Sequence, residues 1–431
     1  MQPVNIINQS LTYIEENLKT DITTDELAKM AGYSVWHYQR LFSQMTGTPV
    51  AVYIGKRRLD RALKEIAGGR RAIDVALEYG FDTYAGFYKA FVKIYGDSPK
   101  KKIQKTEVSI MFNKQLFNEK ELRDILSNWD IPQDLPILDV HIMDGTEVSG
   151  NVWSIGEEYI LKAGNLESLL KNLKINEALL AQGFMAATPI TTKAGTPFLD
   201  GEQIVVLSRG VKGSPLAKND RFGEQRCVFG RKYGESIARL HKVLASIEAE
   251  IQPKNENLYS IVADWALKEV KKQNKQYQMG LSEQFFEDYI NNFKILHDKL
   301  PQQLIHRDPN PSNILFADKE VSGFIDFDLS VHNVRLWDPC YCATGLLSEW
   351  RGVEGIFEKW PEILAAILHG YDSINPLSAE EKQAVYYVLC SIEMICLAYF
   401  EGIDKLKDVA KVNREMFVYI VKNETLIKGL I

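Results

Sequence analysis

Apolar residues recur every three to four positions through the first hundred residues. Leu27, Ala28 and Ala31 form one stripe, and Tyr38, Leu41, Phe42 and Met45 form a second, spaced i, i+3, i+4, i+7. Phe87, Ala90, Phe91 and Ile94 form a third. This period, without strand alternation, predicts short amphipathic helices with those faces turned inward. The run Lys100-Lys101-Lys102-Ile103-Gln104-Lys105 reads as a charged linker. A helical stretch follows from Glu119 to Trp129, stopped by Pro132 and Pro136. From Leu138 to Lys162 the alternation is that of strands. It is helical again from Leu166 to Gly183, and Gln203 to Arg209 reads as a strand. Helices dominate from Gly230 onward, apart from one strand-turn-strand near residues 314–325. The pattern predicts a multidomain chain. Residues 1–105 form an all-α domain, 106–136 a linker and leading helix, 137–210 a small α+β lobe, and 211–431 a mostly helical lobe.

Turn chemistry sharpens the first domain. Gly32 can take a left-handed conformation, and Ser34 can cap the helix that follows. Gly80 repeats the design in Ile73-Asp74-Val75-Ala76-Leu77-Glu78-Tyr79-Gly80-Phe81. Each unit is laid out as a helix-turn-helix, whose second helix can enter the DNA major groove. Opposite the apolar stripe of the first such helix lie Trp36, Gln39, Arg40 and Ser43. Gln and Arg can contact purine edges in pairs of hydrogen bonds, and Trp offers apolar contact to a thymine methyl or a sugar. Taken alone, the same face is equally a solvated polar face. Between the units runs an amphipathic helix, Tyr53 to Ala67, bearing Lys56, Arg57, Arg58 and Arg61. A rigid helix there can hold two reading heads about 34 Å apart. Its basic residues are candidates for phosphate contacts, or simply a solvated face.

Charge supports a split of roles. Up to Lys105 there are 16 Lys+Arg against 11 Asp+Glu, and in the rest 35 against 46. A basic front on an acidic remainder directs the front end toward a polyanion, double-stranded DNA in this reading. The five cysteines, Cys227, Cys340, Cys342, Cys390 and Cys396, include no Cys-x-x-Cys pair. A disulfide framework or structural zinc is therefore not expected, and a reducing cytoplasmic setting is. No run of about 18 apolar residues argues for a membrane partner. Met1-Gln2-Pro3-Val4-Asn5 lacks the basic-then-apolar pattern of a secretory leader. The oligomeric state is open, a homodimer included.

Residues 5–104 resemble the DNA-binding domain of the AraC/XylS family of bacterial transcription regulators. The tail Phe87-Tyr88-Lys89-Ala90-Phe91 … Tyr95-Gly96-Asp97-Ser98-Pro99 is similar to the family signature. Gly32-Tyr33-Ser34 … Trp36-His37 … Gln39-Arg40 … Phe42 is similar to the subgroup of multiple-antibiotic-resistance and superoxide-response activators. The resemblance implies that Trp36, Gln39 and Arg40 touch bases. The second reading helix departs from that subgroup. Ala85, Gly86 and Val92 stand outward there, so Lys89 and Lys93 are expected mainly to grip phosphate.

A second chemistry is written in Leu304-Ile305-His306-Arg307-Asp308-Pro309-Asn310-Pro311-Ser312-Asn313, followed by Gly323-Phe324-Ile325-Asp326-Phe327-Asp328. Phosphoryl transfer needs a carboxylate to orient or deprotonate the attacking hydroxyl, and oxygen ligands for Mg²⁺. Asp308 fits the first role, and Asn313 and Asp326 fit the second. A hairpin from Ile314–Phe316 to Val321–Ile325 would return Asp326 to Asn313. The competing reading is an acidic loop beside a buried hairpin. On the nucleotide side, Val148-Ser149-Gly150-Asn151-Val152 to Lys162 reads as loop, strand, tight turn, strand. Gly150 and Asn151 are candidate nucleotide contacts. Lys162 would hold phosphates and pair with a helical glutamate, for which Glu177 is the candidate. Val205 to Arg209 would lead to an adenine-binding hinge.

This part, residues 117–420, resembles the aminoglycoside-phosphotransferase and choline-kinase superfamily through Lys162, Glu177, Gly234 to His241, His306-Arg307-Asp308 … Asn313, Asp326 and Asp338. The resemblance implies a two-lobed, protein-kinase-like α+β fold behind the double helix-turn-helix domain, with ATP and Mg²⁺ as cofactors. It implies Asp308 as catalytic base, Asn313 and Asp326 as metal ligands, and Lys162 as phosphate ligand. His306 would be structural and Asp338 a helix anchor. Arg307 stands where the family commonly has Gly, and Pro309-Asn310 replace its usual pair. The expected function is a DNA-binding regulator that also phosphorylates a hydroxyl on a small molecule. The alternatives are a regulator whose kinase-like domain only senses a ligand, and an enzyme whose helix-turn-helix is an interaction module. Glu349, Glu354, Glu358 and Glu362 would suit a cationic substrate, or form a solvated helix face.

Overall fold

Thr23 and Ser34 open the helices of the first turn unit. In the computed structural model, the Glu26 N–H donates to Thr23 Oγ1 at 3.2 Å and the His37 N–H to Ser34 Oγ at 3.3 Å. Gly32 (φ 70°) and Gly80 (φ 79°) take the left-handed conformation at the two turns, where a side chain would be strained. The structure describes residues 3–46, 48–67, 70–81, 83–95, 99, 116–142, 147–201, 203–403 and 406–431. The expected linker run Lys100–Lys105 and the Met45 side chain lie outside the described residues.

The chain divides into two compact units, Met1–Leu169 with Pro189–Arg209, and Leu170–Thr188 with Gly210–Ile431. The first unit begins with helices α1 (Pro3–Glu16), α2 (Thr24–Met30), α3 (Val35–Thr46), α4 (Val50–Ala67), α5 (Ala72–Glu78) and α6 (Tyr84–Tyr95). Tyr38, Phe42 and Tyr53 make one aromatic cluster, with Phe42 and Tyr53 edge to face at 5.5 Å. Phe81, Phe87 and Phe91 make another. Ile94, expected inside, is 41% exposed. It lies one residue from the end of α6, past the aromatic cluster in which Phe87 and Phe91 are buried.

Helix α7 (Glu119–Leu126) starts in a capping box, with the Glu121 N–H donating to Asn118 Oδ1 and the Asn118 N–H to Glu121 Oε2. It buries Leu122 and Leu126 beside Trp129, Trp153, Leu161 and Leu207. Strands β1 (Ile137–Ile142), β2 (Glu147–Ile155), β3 (Tyr159–Gly164), β4 (Thr188–Pro189) and β5 (Ile204–Arg209) form a sheet in the order β1-β2-β3-β5-β4. Gly156 (φ 59°) turns β2 into β3. Helix α8 (Leu166–Ala181) begins in the first unit and continues into the second.

Close helix packing sets the second unit. Helix α9 (Arg226–Ile251) lies against a later helix, Ile356–Ile374, at backbone distance. A Cβ on Gly234 would stand 1.9 Å from the Ile367 carbonyl oxygen, and one on Gly370 2.2 Å from that of Arg231. Only glycine fits these positions. Strand β6 (Ser214–Pro215) pairs with β8 (Ile314–Ala317), which pairs with β9 (Glu320–Phe324); β7 (Gln302–Ile305) pairs with β10 (Val331–Val334). Asp318 (φ 51°) and Lys319 (φ 62°) make the two-residue turn of the β8–β9 hairpin, the mirror-image geometry that suits a twisted ribbon. Helix Ala379–Glu401 is long and apolar enough to cross a membrane by length and composition, but 72% of that window is buried inside the unit, as in a core helix.

Candidate functional site

The loop after β7 is pinned from below by one carboxylate. Asp338 is fully buried at the first turn of helix Trp337–Leu347. It accepts the backbone N–H of His306 at 2.8 Å, that of Arg307 at 3.0 Å, and His241 Nε2 at 2.8 Å. The Tyr371 hydroxyl bonds the other ring nitrogen of His241 at 2.7 Å. Burial holds His306 below the usual histidine range, and its Nε2–H donates to the Ile325 carbonyl at 3.0 Å.

Arg307 adopts φ 75°, a conformation that costs a non-glycine residue about 1–3 kcal/mol. Several contacts offset that strain. The guanidinium stacks 3.7 Å over Trp337, its Nε donates to Glu256 at 3.0 Å, and Trp337 Nε1–H donates to the Arg307 carbonyl at 2.9 Å. These contacts let arginine stand where glycine is usual.

Asp308 follows. Asn310 caps the short turn Pro311–Asn313 by accepting the Ser312 N–H and hydroxyl. That turn points the Asn313 amide back at Asp308, with Nδ2 3.0 Å from the carbonyl and 3.2 Å from Oδ2. The Ile325 N–H donates to the Asn313 carbonyl at 3.0 Å, so the hairpin delivers Asp326 next to Asn313. Burial first, and the charge of Asp326 second, push the Asp308 carboxyl up to about 6, against the opposing hydrogen bonds of Tyr341 and Asn313. Asp326 is exposed and held at φ 66°. The structure thus brings Asp308, Asn313 and Asp326 together.

Four features escaped sequence reasoning. Tyr341 bonds Asp308; it lies one helical turn after Asp338, and that i, i+3 spacing was the available signal. The Arg307–Trp337–Glu256 cluster had no local signal. Asp328 is clamped by α8, with Asn172 Nδ2 2.7 Å from its Oδ1 and Lys171 Nζ 2.8 Å from its carbonyl and 3.0 Å from that of Ser330. Glu393 is buried without a hydrogen-bond partner on either oxygen, and burial drives its carboxyl well above the usual range.

On the nucleotide side, Gly150 (φ 74°) is buried, and its carbonyl accepts the Leu116 N–H at 3.0 Å. Asn151 Nδ2 donates to the Ala163 carbonyl at 3.2 Å, tying β2 to β3 beside Lys162. Lys162 lies opposite Val152 and Val206 in the sheet and is half-buried. Glu177 is exposed on α8. Lys162 belongs to the first unit and Glu177 to the second.

In the front domain, Trp36 is 68% exposed, Gln39 and Arg40 are exposed, and the Arg40 guanidinium lies 5.7 Å from the Trp36 ring. Lys89 and Lys93 are exposed on α6. The basic residues of α4, expected as phosphate contacts or a solvated face, are each engaged by acceptors of the protein itself. Arg57 pairs with Glu15 through both carboxylate oxygens, and Arg61 with Glu15 and Glu167. Arg58 donates to the carbonyls of Leu18 and Thr20. Lys56 meets the Gly201 carbonyl at 2.6 Å and the Asp200 carboxylate at 3.6 Å. All four are half-buried and bonded within the protein, so they do not form a simple solvated face. Of the acidic residues on the large lobe, Glu349 pairs with Arg221 and Glu362 with Arg226, whereas Glu354 and Glu358 are exposed.

Known proteins resemble the chain in two separate parts. The helix-turn-helix domain family model matches residues 27–105, and the phosphotransferase enzyme family model residues 147–381. The HTH-type transcriptional activator AarP of Providencia stuartii is 40% identical over 96 residues, 22% of this chain and 71% of AarP. An amicoumacin kinase, solved in complex with AMP-PNP, Ca²⁺ and Ami, superposes on 73% of this chain and 95% of its own, with a TM-score of 0.51 at 14% identity. A microcompartment-associated aminopropanol kinase covers 72% of this chain and 99% of its own, with a TM-score of 0.51 at 16% identity. At such identities the two kinases establish the fold alone. The chain belongs to the phosphotransferase enzyme family, with an AraC-type helix-turn-helix domain of transcription regulators placed ahead of it.

Proposed function

We propose that the chain is a DNA-binding regulator whose second part transfers the γ-phosphoryl group of ATP to a hydroxyl of a small molecule. The observation that carries this reading is the Asp308–Asn313–Asp326 arrangement, with the Asp308 carboxyl raised to about 6. A base of that strength is ionised at neutral pH yet still accepts a proton. Asp308 takes the proton of the attacking hydroxyl as its oxygen bonds to the γ-phosphorus. The bond from that phosphorus to the bridging oxygen breaks, and ADP leaves with the electron pair.

The donor set fits a divalent cation. Asn313 uses its amide nitrogen on Asp308, which leaves its amide oxygen for a cation beside the exposed Asp326 carboxylate. Among the described residues no group of three or more His, Cys, Asp or Glu could hold a metal. Two oxygen side chains completed by phosphate and water is how proteins commonly hold Mg²⁺. When bound, Mg²⁺ supplies charge neutralisation at the phosphates. Lys162 is the proposed phosphate ligand of β3. Gly150, by its buried backbone, and Asn151, by its bond to Ala163, hold the strand that carries the nucleotide. The exposure of Glu177 makes it the weakest member of the set.

The front domain is proposed to bind double-stranded DNA through Trp36, Gln39 and Arg40, with Lys89 on phosphate. The protein named aminopropanol kinase suggests amino alcohols as the first acceptors to try. The deciding experiment is Mg²⁺-dependent ADP release against a panel of amino alcohols, aminoglycosides, choline, homoserine and sugars, with Asp308→Asn alongside. One alcohol that stimulates release, with the stimulation lost in the variant, supports the reading. Nucleotide binding with no turnover on any alcohol favours a ligand sensor instead.

A further inference from the structure

Helix α8 makes two polar engagements within two turns of each other. In its first turn, Glu167 accepts from Arg61 of α4 at 2.7 Å. Arg61 belongs to the helix that connects the two reading units, and it shares Glu15 with Arg57. One turn further along α8, Lys171 and Asn172 hold Asp328 and Ser330, at the end of the segment that begins with Asp326. The first contact lies wholly within the first unit and the second wholly within the second, and one continuous helix supplies both.

We infer that α8 couples DNA affinity to occupancy of the phosphotransfer site, with Asn172 and Lys171 as positioning residues for the Asp326 segment and Arg61–Glu167 as the link to the DNA-binding domain. The inference rests on the proposed nucleotide and metal site. A ligand that fixes Asp326 fixes Asp328 two residues on, and Asp328 is bonded to α8. A helix is stiff along its axis, so a bias on Asn172 reaches Glu167 five residues away. The Glu167 side chain is 63% exposed, so the link is weak. An exposed ion pair carries at most about a fivefold change in an equilibrium. The coupling must also be reciprocal: DNA changes nucleotide affinity by the same factor that nucleotide changes DNA affinity.

The test uses the full chain and a duplex enriched from a random-sequence pool by that chain. Its Kd for the duplex is measured with and without saturating Mg·AMP-PNP, in wild type and in Glu167→Gln and Asn172→Ala, and AMP-PNP binding is titrated directly in each. The expected result is a change of about two- to fivefold in wild type, matched by the shift of the nucleotide Kd when duplex is added, and abolished in both variants while each ligand still binds. If AMP-PNP binds but leaves the duplex Kd unchanged in wild type, the coupling is wrong and the phosphotransfer reading stands. If the change persists in both variants, the route through α8 is wrong. If AMP-PNP does not bind, the phosphotransfer reading and the coupling fall together.

Discussion

Asn313 places one amide nitrogen 3.0 Å from the backbone carbonyl of Asp308 and 3.2 Å from its carboxylate. That one side chain sets the geometry of the loop and part of its electrostatics. It bonds the carboxylate directly and opposes the upward push of burial on Asp308.

The pH profile of the transfer reaction follows from the raised carboxyl. Burial pushes the Asp308 carboxyl up to about 6. As a base it works when ionised, so kcat/KM falls as pH drops below about 6, about tenfold per pH unit at the low end. Asp308→Asn removes that limb and lowers kcat by about 10²- to 10⁴-fold. A profile flat from pH 5 to 8 with the responsive alcohol would exclude Asp308 as the base.

The same shift has a consequence for stability. The folded chain holds the Asp308 proton more tightly than an unfolded chain, whose aspartates titrate near about 3.9. Its favourable contribution is present below that value and is lost as pH rises through about 6. Above pH 7 the ionised Asp308 therefore destabilises the fold, by about 1–3 kcal/mol. Asp308→Asn should raise the denaturation midpoint at pH 7.5 and lose that advantage at pH 4, which urea titrations at the two pH values would measure.

Much of this arrangement is legible in the sequence because its determinants are local. The six residues from Asp308 to Asn313, and the hairpin from there to Asp326, are shaped by their own turn residues and strand pairing. Gly32 and Gly80 mark their turns for the same reason. The partners of α4 are not legible. Arg57 finds Glu15 42 residues away, and Lys56 finds Gly201 145 residues away. Nothing in helical periodicity separates a basic residue that meets solvent from one that meets a carboxylate brought in by tertiary packing. Ile94 fails for a related reason: its stripe is regular, but the aromatic cluster ends before it.

Asp338 makes a sharp stability prediction. It is buried and accepts two backbone N–H groups and a histidine nitrogen, all within 3.0 Å. Asp338→Ala leaves those three donors without a partner and removes the support for the strained Arg307. The cost should be about 3–5 kcal/mol, as for breaking a buried charged network by removing one member. A loss under 1 kcal/mol in the calorimetric or urea transition would show that the loop does not depend on this anchor.

The two reading helices should separate by the kind of contact they make. Trp36, Gln39 and Arg40 are exposed together on α3, whereas α6 offers Lys89 and Lys93 beside Ala85 and Gly86. Gln39→Ala or Arg40→Ala should cost about 1–3 kcal/mol on the preferred duplex and relax the preference at one base-pair position. Lys89→Ala should weaken binding to all duplexes alike and reduce the slope of log Kd against log salt by about 1. The basic residues of α4 behave differently again. Arg58→Ala should leave the salt slope unchanged, because its guanidinium is bonded to the carbonyls of Leu18 and Thr20. Salt titrations of the variants on one preferred and one scrambled duplex distinguish the cases. A salt slope that falls with Arg58→Ala would put α4 on the DNA and overturn the division of labour read from its ion pairs.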